Sequence, residues 1–180
     1  TQNLVNAGNY KGIYNTLIMA RVQSNVAGLV NPTTFKNNWN NLRQANKIVL
    51  SGLYFKYNEF KPDAPNNTIT ITNGKLYDKY VNGVWQNPYN EKQVFAIASP
   101  IVKYNSLTMQ VQLPSSLWYT IQGSSVQSIA IDFNDGLGYQ PTTFGQIKTV
   151  TYSTAGIKEW KYKLTLTNGQ ILYSHSKLFI

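Results

Sequence analysis

Cysteine is missing from this 180-residue chain, and histidine occurs once, as His175. Without thiols there are no disulfides, no thiolate nucleophile and no cysteine-held zinc or iron–sulfur cluster. A single histidine excludes the HExxH zinc proteases and most centres with several imidazole ligands. Acids are scarce as well, 7 Asp+Glu in all, which leaves little material for paired-carboxylate chemistry. No uninterrupted apolar stretch approaches the roughly 20 residues that a membrane-spanning helix needs. These shortages set an ordinary hydrolase or metalloenzyme aside, so no catalytic residue is assigned and no cofactor is expected. Thr1-Gln2-Asn3 is no signal-peptide start, and Ser176–Ile180 has the pattern of a strand cut off in mid-protein. The expectation is a mature fragment, or a domain excised from something longer.

What is present points another way. Hydrophobic residues make up 42% while charged residues make up 13%, about half the usual share for a soluble domain. Polarity comes from Asn, Gln, Ser and Thr, and the aromatics include 13 Tyr and 4 Trp. Such surfaces suit extracellular or cell-surface proteins, and a chain of this length has enough core to be exported without disulfides. The formal charge of +9 invites a nucleic-acid reading, but Lys11, Arg21, Lys36, Arg43, Lys47, Lys56 and Lys61 are dispersed and only two basic residues are arginine. Dispersed lysines solubilise a surface more often than they bind a polyanion, so no nucleic-acid partner is expected. Residues 1–105 hold 11 basic against 4 acidic side chains, and residues 106–180 hold 5 against 3. A partner with a negative surface would therefore meet the first region.

Asparagine changes along the chain: 19 of 21 lie before residue 106. This predicts two domains, 1–99 and 100–180, with a boundary near Pro100. In the first, Tyr10, Ile13, Tyr14, Leu17 and Ile18 recur at helical spacing, although Thr16, Ile18, Ala20 and Val22 would also line a strand; the helix is preferred. After Asn31-Pro32, Thr33 or Thr34 caps a helix of about three turns bearing Phe35, Trp39 and Leu42. Strands follow: Ile48–Tyr57, then Thr68–Thr72 turning at Asn73-Gly74 into Lys75–Tyr77, a second turn at Asn82-Gly83, and Val94–Ala98. The first domain is thus small and mostly β, with one or two short helices.

The second region alternates more sharply. Leu107, Met109, Val111 and Leu113 share one face, and Val126, Ile129 and Ile131 lead into Asp132-Phe133-Asn134-Asp135-Gly136. Thr149–Tyr152 and a turn at Ala155-Gly156 precede a long strand. In it Trp160, Tyr162, Leu164 and Leu166 face one way while Lys161, Lys163, Thr165 and Thr167 face the other. Asn168-Gly169 closes a hairpin into Ile171–Tyr173. Six or seven short strands at this spacing predict a β-sandwich.

Ile131–Gly136, followed by Val150-Thr151-Tyr152-Ser153-Thr154-Ala155-Gly156 and the alternating strand, resembles the PKD domain over residues 100–180. In that family an Asp–aromatic–Gly–Asp–Gly turn precedes a tyrosine, a Pro-Gly turn and a valine-rich strand. Here Asn134 stands for the usual glycine, Ala155 for the proline, and Leu137-Gly138-Tyr139 lengthens the turn. The resemblance implies an immunoglobulin-like sandwich of the kind found in bacterial surface and secreted proteins.

Three places merit attention as sites. Asp132, Asn134 and Asp135 offer hard oxygens to calcium; the competing reading is a turn in which they bond neighbouring N–H groups. His175 lies between Ser174 and Ser176, but adjacent strand residues point to opposite faces, against a Ser–His pair. Trp85, with Gln86, Asn87 and Tyr89, is the best candidate for stacking on a sugar ring; the competing reading is that the rings fill cores. The expected function is a non-enzymatic structural or adhesive module acting through protein–protein contacts, with other chains, neighbouring domains or further copies as partners. Strand Leu172–Ile180 is the candidate for pairing with another chain. The alternative is an accessory domain of a secreted hydrolase that binds polysaccharide.

Overall fold

Tyr10 and Tyr14, one helical turn apart, are both fully buried in the computed structural model, while Thr16 and Ala20 of the competing strand face are exposed. The structure describes residues 3–20 and 28–180; Thr1 and Gln2, and Arg21 and Val22 at the end of the ambiguous opening stretch, lie outside the described residues. Helix α1 spans Ala7–Ala20 and α2 spans Pro32–Asn41. The cap of α2 is Asn31, whose side chain accepts the Thr33 N–H at 2.8 Å with Pro32 in the first turn, and neither predicted threonine takes that place.

The predicted strand after α2 is interrupted at Leu50, giving β1 (Lys47–Val49) and β2 (Ser51–Phe60). A short helix α3 (Ala64–Asn67) follows, then β3 (Ile69–Thr72), β4 (Lys75–Asp78), β5 (Tyr80–Val81), β6 (Val84–Trp85) and β7 (Tyr89–Ala98). The remaining strands are β8 (Thr108–Gln112), β9 (Trp118–Thr120), β10 (Val126–Asp132), β11 (Tyr139–Thr142), β12 (Ile147–Thr151), β13 (Ile157–Leu166) and β14 (Ile171–Phe179). The protein is mainly β with several sheets. Their strand orders are β1-β8-β12, β11-β10-β13-β14, β7-β2-β9, β3-β4 and β5-β6.

The contacts divide the chain into two compact units, one of residues 1–55 and 95–180 and the other Lys56–Val94. The boundary expected near Pro100 falls within the first of these units. Strands from before it pair in parallel with strands from after it, Lys47–Val49 of β1 with Gln110–Gln112 of β8 and Gly52–Tyr54 of β2 with Trp118–Thr120 of β9. Asparagine content reports the solvated surface, not which strands hydrogen-bond.

In the larger unit, one core gathers Ile48, Met109, Val111 and Val150 from β1-β8-β12 with Ile129, Ile131, Trp160, Tyr162, Leu164 and Leu166 from β10 and β13. The predicted alternation along β13 holds: those four even-numbered residues are buried while Lys161 is exposed. Leu107, expected to face inward, precedes β8 and is exposed. Within the core the Tyr152 hydroxyl donates to the Phe133 carbonyl at 2.6 Å and accepts the Trp160 indole N–H at 2.7 Å. Burial pushes the Tyr152 phenol up to about 12, against the indole bond, which draws it down.

A second cluster is aromatic. Tyr10 and Tyr14 of α1 meet Phe35 and Trp39 of α2, and Tyr119 of β9 stands edge-on to Tyr14 and Phe35. Hydrogen bonds orient the rings: Trp39 Nε1 donates to the Val49 carbonyl at 2.8 Å, and the Tyr10 hydroxyl meets Ser51 Oγ at 2.9 Å. Gly52 lets β2 approach β9, because a Cβ there would lie 2.7 Å from the Trp118 ring.

Strand β14 is not left open for another chain in the way expected. Its far side meets the chain itself at two parallel bridges, Leu4 with His175 and Lys103 with Phe179. The His175 N–H donates to the Asn3 carbonyl at 3.0 Å, and the Phe179 N–H to the Val102 carbonyl at 2.9 Å.

Candidate functional site

The smaller unit has almost no interior. Of residues 56–94 only Ala64, Ile69 and Pro88 are buried. Its shape comes from local devices. Asn73-Gly74 and Asn82-Gly83 all have positive φ, as the tight hairpin turns read from the sequence require. Ion pairs join Lys56 to Glu91 at 3.0 Å and Lys92 to Glu59 at 3.7 Å, on exposed surfaces where such pairs add little stability. Lys61 donates from its backbone to Pro88 and from Nζ to the Asn87 carbonyl at 2.7 Å, and Phe60 packs on Tyr89 with ring centroids 4.9 Å apart.

On this frame the unit displays Tyr57, Phe60, Ile71, Leu76, Tyr77, Tyr80, Val81, Val84 and Trp85 to solvent. The β5–β6 hairpin is the clearest case. Tyr80 stands opposite Trp85 and Val81 opposite Val84, and side chains of successive strand residues point to opposite faces. All four are exposed, so neither face of this hairpin is covered.

The four candidate ligand residues lie together around this hairpin, with distinct roles. Trp85 is 42% exposed and its Nε1 donates to Asp78 Oδ1 at 3.0 Å, which fixes the ring while leaving it open to a partner. Gln86 holds the turn, its backbone N–H donating to Lys79 and its side-chain amide to Val84. Asn87 Oδ1 accepts the Tyr89 N–H at 3.0 Å, and Tyr89 is half-buried against Phe60. Among the tryptophans the sorting is plain: Trp39 and Trp160 are core, Trp118 is half-buried and Trp85 is exposed. The arrangement offers flat apolar faces beside amides already committed to the backbone.

The Asp132–Gly136 turn is held by its own side chains. Asp132 Oδ1 accepts the Asn134 N–H at 2.8 Å, and Asp135 accepts the Leu137 N–H at 3.1 Å and the Gln140 amide at 2.9 Å. Asn134 and Gly136 both have positive φ, a conformation that asparagine tolerates better than most residues with a side chain. Among the described residues no three His, Asp or Glu side chains come together as a metal would need.

His175 and its serine neighbours separate onto two faces. Ser174 and Ser176 are buried, Ser176 bonding the Tyr162 hydroxyl at 2.7 Å, while the His175 ring meets Glu159 on the other face. That face also carries an array absent from the sequence reading. Lys163 Nζ lies 4.9 Å from the Tyr139 ring, and Tyr139 lies 6.3 Å from Tyr173. Burial, then Tyr173, then Asp132 push the Tyr139 phenol above its ordinary value. Finding this array needed β11, whose signal is weak because Pro141 interrupts it.

One cavity of the larger unit, about 370 Å³, is walled by Trp118, Val126, Ile129, Pro141 and Phe144, with Trp118 and Phe144 centroids 5.6 Å apart. No protein-family model matches the chain, and no curated protein matches it.

Proposed function

We propose that this chain is a non-enzymatic structural or adhesive module of an extracellular or cell-surface protein, acting through protein–protein contacts made by residues 56–94. The observation that carries the reading is the β5–β6 hairpin with Tyr80, Trp85, Val81 and Val84 exposed on both faces. An isolated two-stranded hairpin is marginal in water, and large exposed apolar groups gathered on one small element mark an interaction surface. Tyrosine and tryptophan are also the residues that anchor protein interfaces.

The larger unit serves as the scaffold in this reading, an immunoglobulin-like sandwich of the PKD-like kind. Two features support it: the shared core of β1-β8-β12 and β11-β10-β13-β14, and a buried tyrosine bonded back to the Phe133 carbonyl across the Asp132–Gly136 turn. Because β14 is bridged by residues 4 and 103 of the same chain, the association surface is assigned to the smaller unit instead.

Polysaccharide binding is the second reading, and the exposed ring of Trp85 is what favours it. Sedimentation velocity over a range of protein concentrations, run beside a glycan array, separates the two. Ordered oligomers support the first; a monomer that retains polysaccharide replaces it with the second.

A further inference from the structure

We infer that the cavity between the turn after α2 and the segment Pro100–Tyr104 is a binding site for an oxyanion, a phosphate, sulfate or carboxylate group, recognised by Arg43 and Lys47. This goes beyond the proposed function and does not depend on it, since the cavity belongs to the larger unit alone. It measures about 360 Å³ and is lined by Arg43, Lys47, Ile48, Ile101 and Tyr104, among others, with no acidic side chain among them.

The local chain brings the two cations to one place. Leu42 caps the end of α2, the Arg43 N–H donates to the Asn40 carbonyl at 3.1 Å, and the Lys47 N–H donates to the Gln44 carbonyl at 3.4 Å. Gln44 and Lys47 are therefore the two ends of a tight turn, and Arg43 directly precedes it. Lys47 is anchored at both ends, by the pairing of β1 with β8 and by Nζ donating to Gln112 Oε1 at 3.2 Å. An amide oxygen positions the ammonium without neutralising it. The opposite wall is fixed too: the Tyr104 N–H donates to the Phe179 carbonyl at 2.9 Å, and buried Ile48 closes the floor.

Among the described residues no acidic side chain pairs with Arg43 or Lys47. All seven acids are engaged elsewhere: Glu59 with Lys92, Glu91 with Lys56, Glu159 with His175, Asp63 with Asn67, Asp78 with Trp85, and Asp132 and Asp135 in their own turn. Two basic residues that line one cavity with no acidic side chain in its lining favour an anion, and a guanidinium presents its donors in a fork that matches two oxygens of one such group.

The test uses the full chain and follows backbone amide NMR shifts during titration with inorganic phosphate at constant ionic strength. A parallel arm uses a galacturonate oligosaccharide and distinguishes a free oxyanion from a polymer-borne carboxylate. The expected result is saturable shifts confined to residues 43–48 and 100–104 in at least one arm. Arg43→Ala or Lys47→Ala weakens binding roughly tenfold or more, as loss of a charge-assisted pair does, while Lys75→Ala leaves it unchanged. Should either alanine form lose its native spectrum, Arg43→Gln and Lys47→Gln replace it. Unsaturable shifts spread over many lysines, no shifts in either arm, or an affinity in the Arg43 and Lys47 variants equal to that of the unaltered chain would overturn the site.

Discussion

The hydroxyl of Tyr152 donates to the backbone carbonyl of Phe133 at 2.6 Å, tying the start of the Asp132–Gly136 turn to the residue that directly follows β12. The same oxygen accepts the Trp160 indole at 2.7 Å, so one phenol satisfies two buried groups. Tyr152→Phe orphans both, and a buried group left unsatisfied costs about 1–3 kcal/mol. A urea unfolding midpoint lowered by that amount, with the slope unchanged, is the expected result. Combining Tyr152→Phe with Trp160→Phe should cost less than the sum of the single changes, because the second removes one of the orphans.

Alkaline pH should unfold the larger unit through its tyrosines. Burial raises the phenols of Tyr10, Tyr119, Tyr152 and Tyr162 above the free value of 10.0, with Tyr119 and Tyr152 reaching about 12. The folded state therefore keeps protons that the unfolded state gives up. This stabilisation is whole below pH 10.0 and drains away as pH rises through about 12. Phenolate absorbance should show an exposed group of tyrosines titrating first and a second group appearing only with the loss of near-ultraviolet circular dichroism. A single smooth titration with the fold intact would contradict the assigned burial.

At Gly52 the neighbouring side chains leave no room for a Cβ. An added Cβ meets two atoms of the Trp118 ring at 2.7 and 2.8 Å and Ile97 at 3.0 Å. Gly52→Ala should destabilise by about 1–3 kcal/mol, the usual cost of overpacking. Thermal unfolding measures it, and Trp118→Leu in the same chain should recover part of the loss.

Much of this was legible before the structure. The period-two pattern of Trp160, Tyr162, Leu164 and Leu166 placed β13, and the Asn-Gly pairs placed both short hairpins, because these signals are local and have a steric cause. Trp85 was singled out by its turn-rich surroundings and is the exposed tryptophan. What sequence could not supply was pairing across distance. The parallel ladders of β1 with β8 and β2 with β9 join segments more than sixty residues apart, so a boundary drawn at Pro100 by composition fell inside one unit. The oxyanion cavity was hidden for the same reason: Arg43 and Lys47 look dispersed until Pro100–Tyr104 closes over them.

The acidic turn gives a prediction of its own. Asp132 and Asp135 spend their oxygens on neighbouring N–H groups and on Gln140, so the turn should be formed without metal. Asp132→Ala removes an ionised acceptor, an interaction worth about 1.5–3 kcal/mol, and should lower the melting temperature equally with and without millimolar calcium. A melting temperature of the unaltered protein that climbs with calcium, and an increment lost in Asp132→Ala, would make the turn a calcium site.

The claim that residues 56–94 form the contact surface is tested most directly by weight-average mass. Sedimentation equilibrium of the unaltered chain is compared with that of a Tyr80→Ser, Trp85→Ser double variant at matched concentrations. The account predicts assembly that grows with concentration in the first and a monomer with an unchanged far-ultraviolet spectrum in the second. Equal masses for the two proteins, whether both monomeric or both assembled, would contradict it.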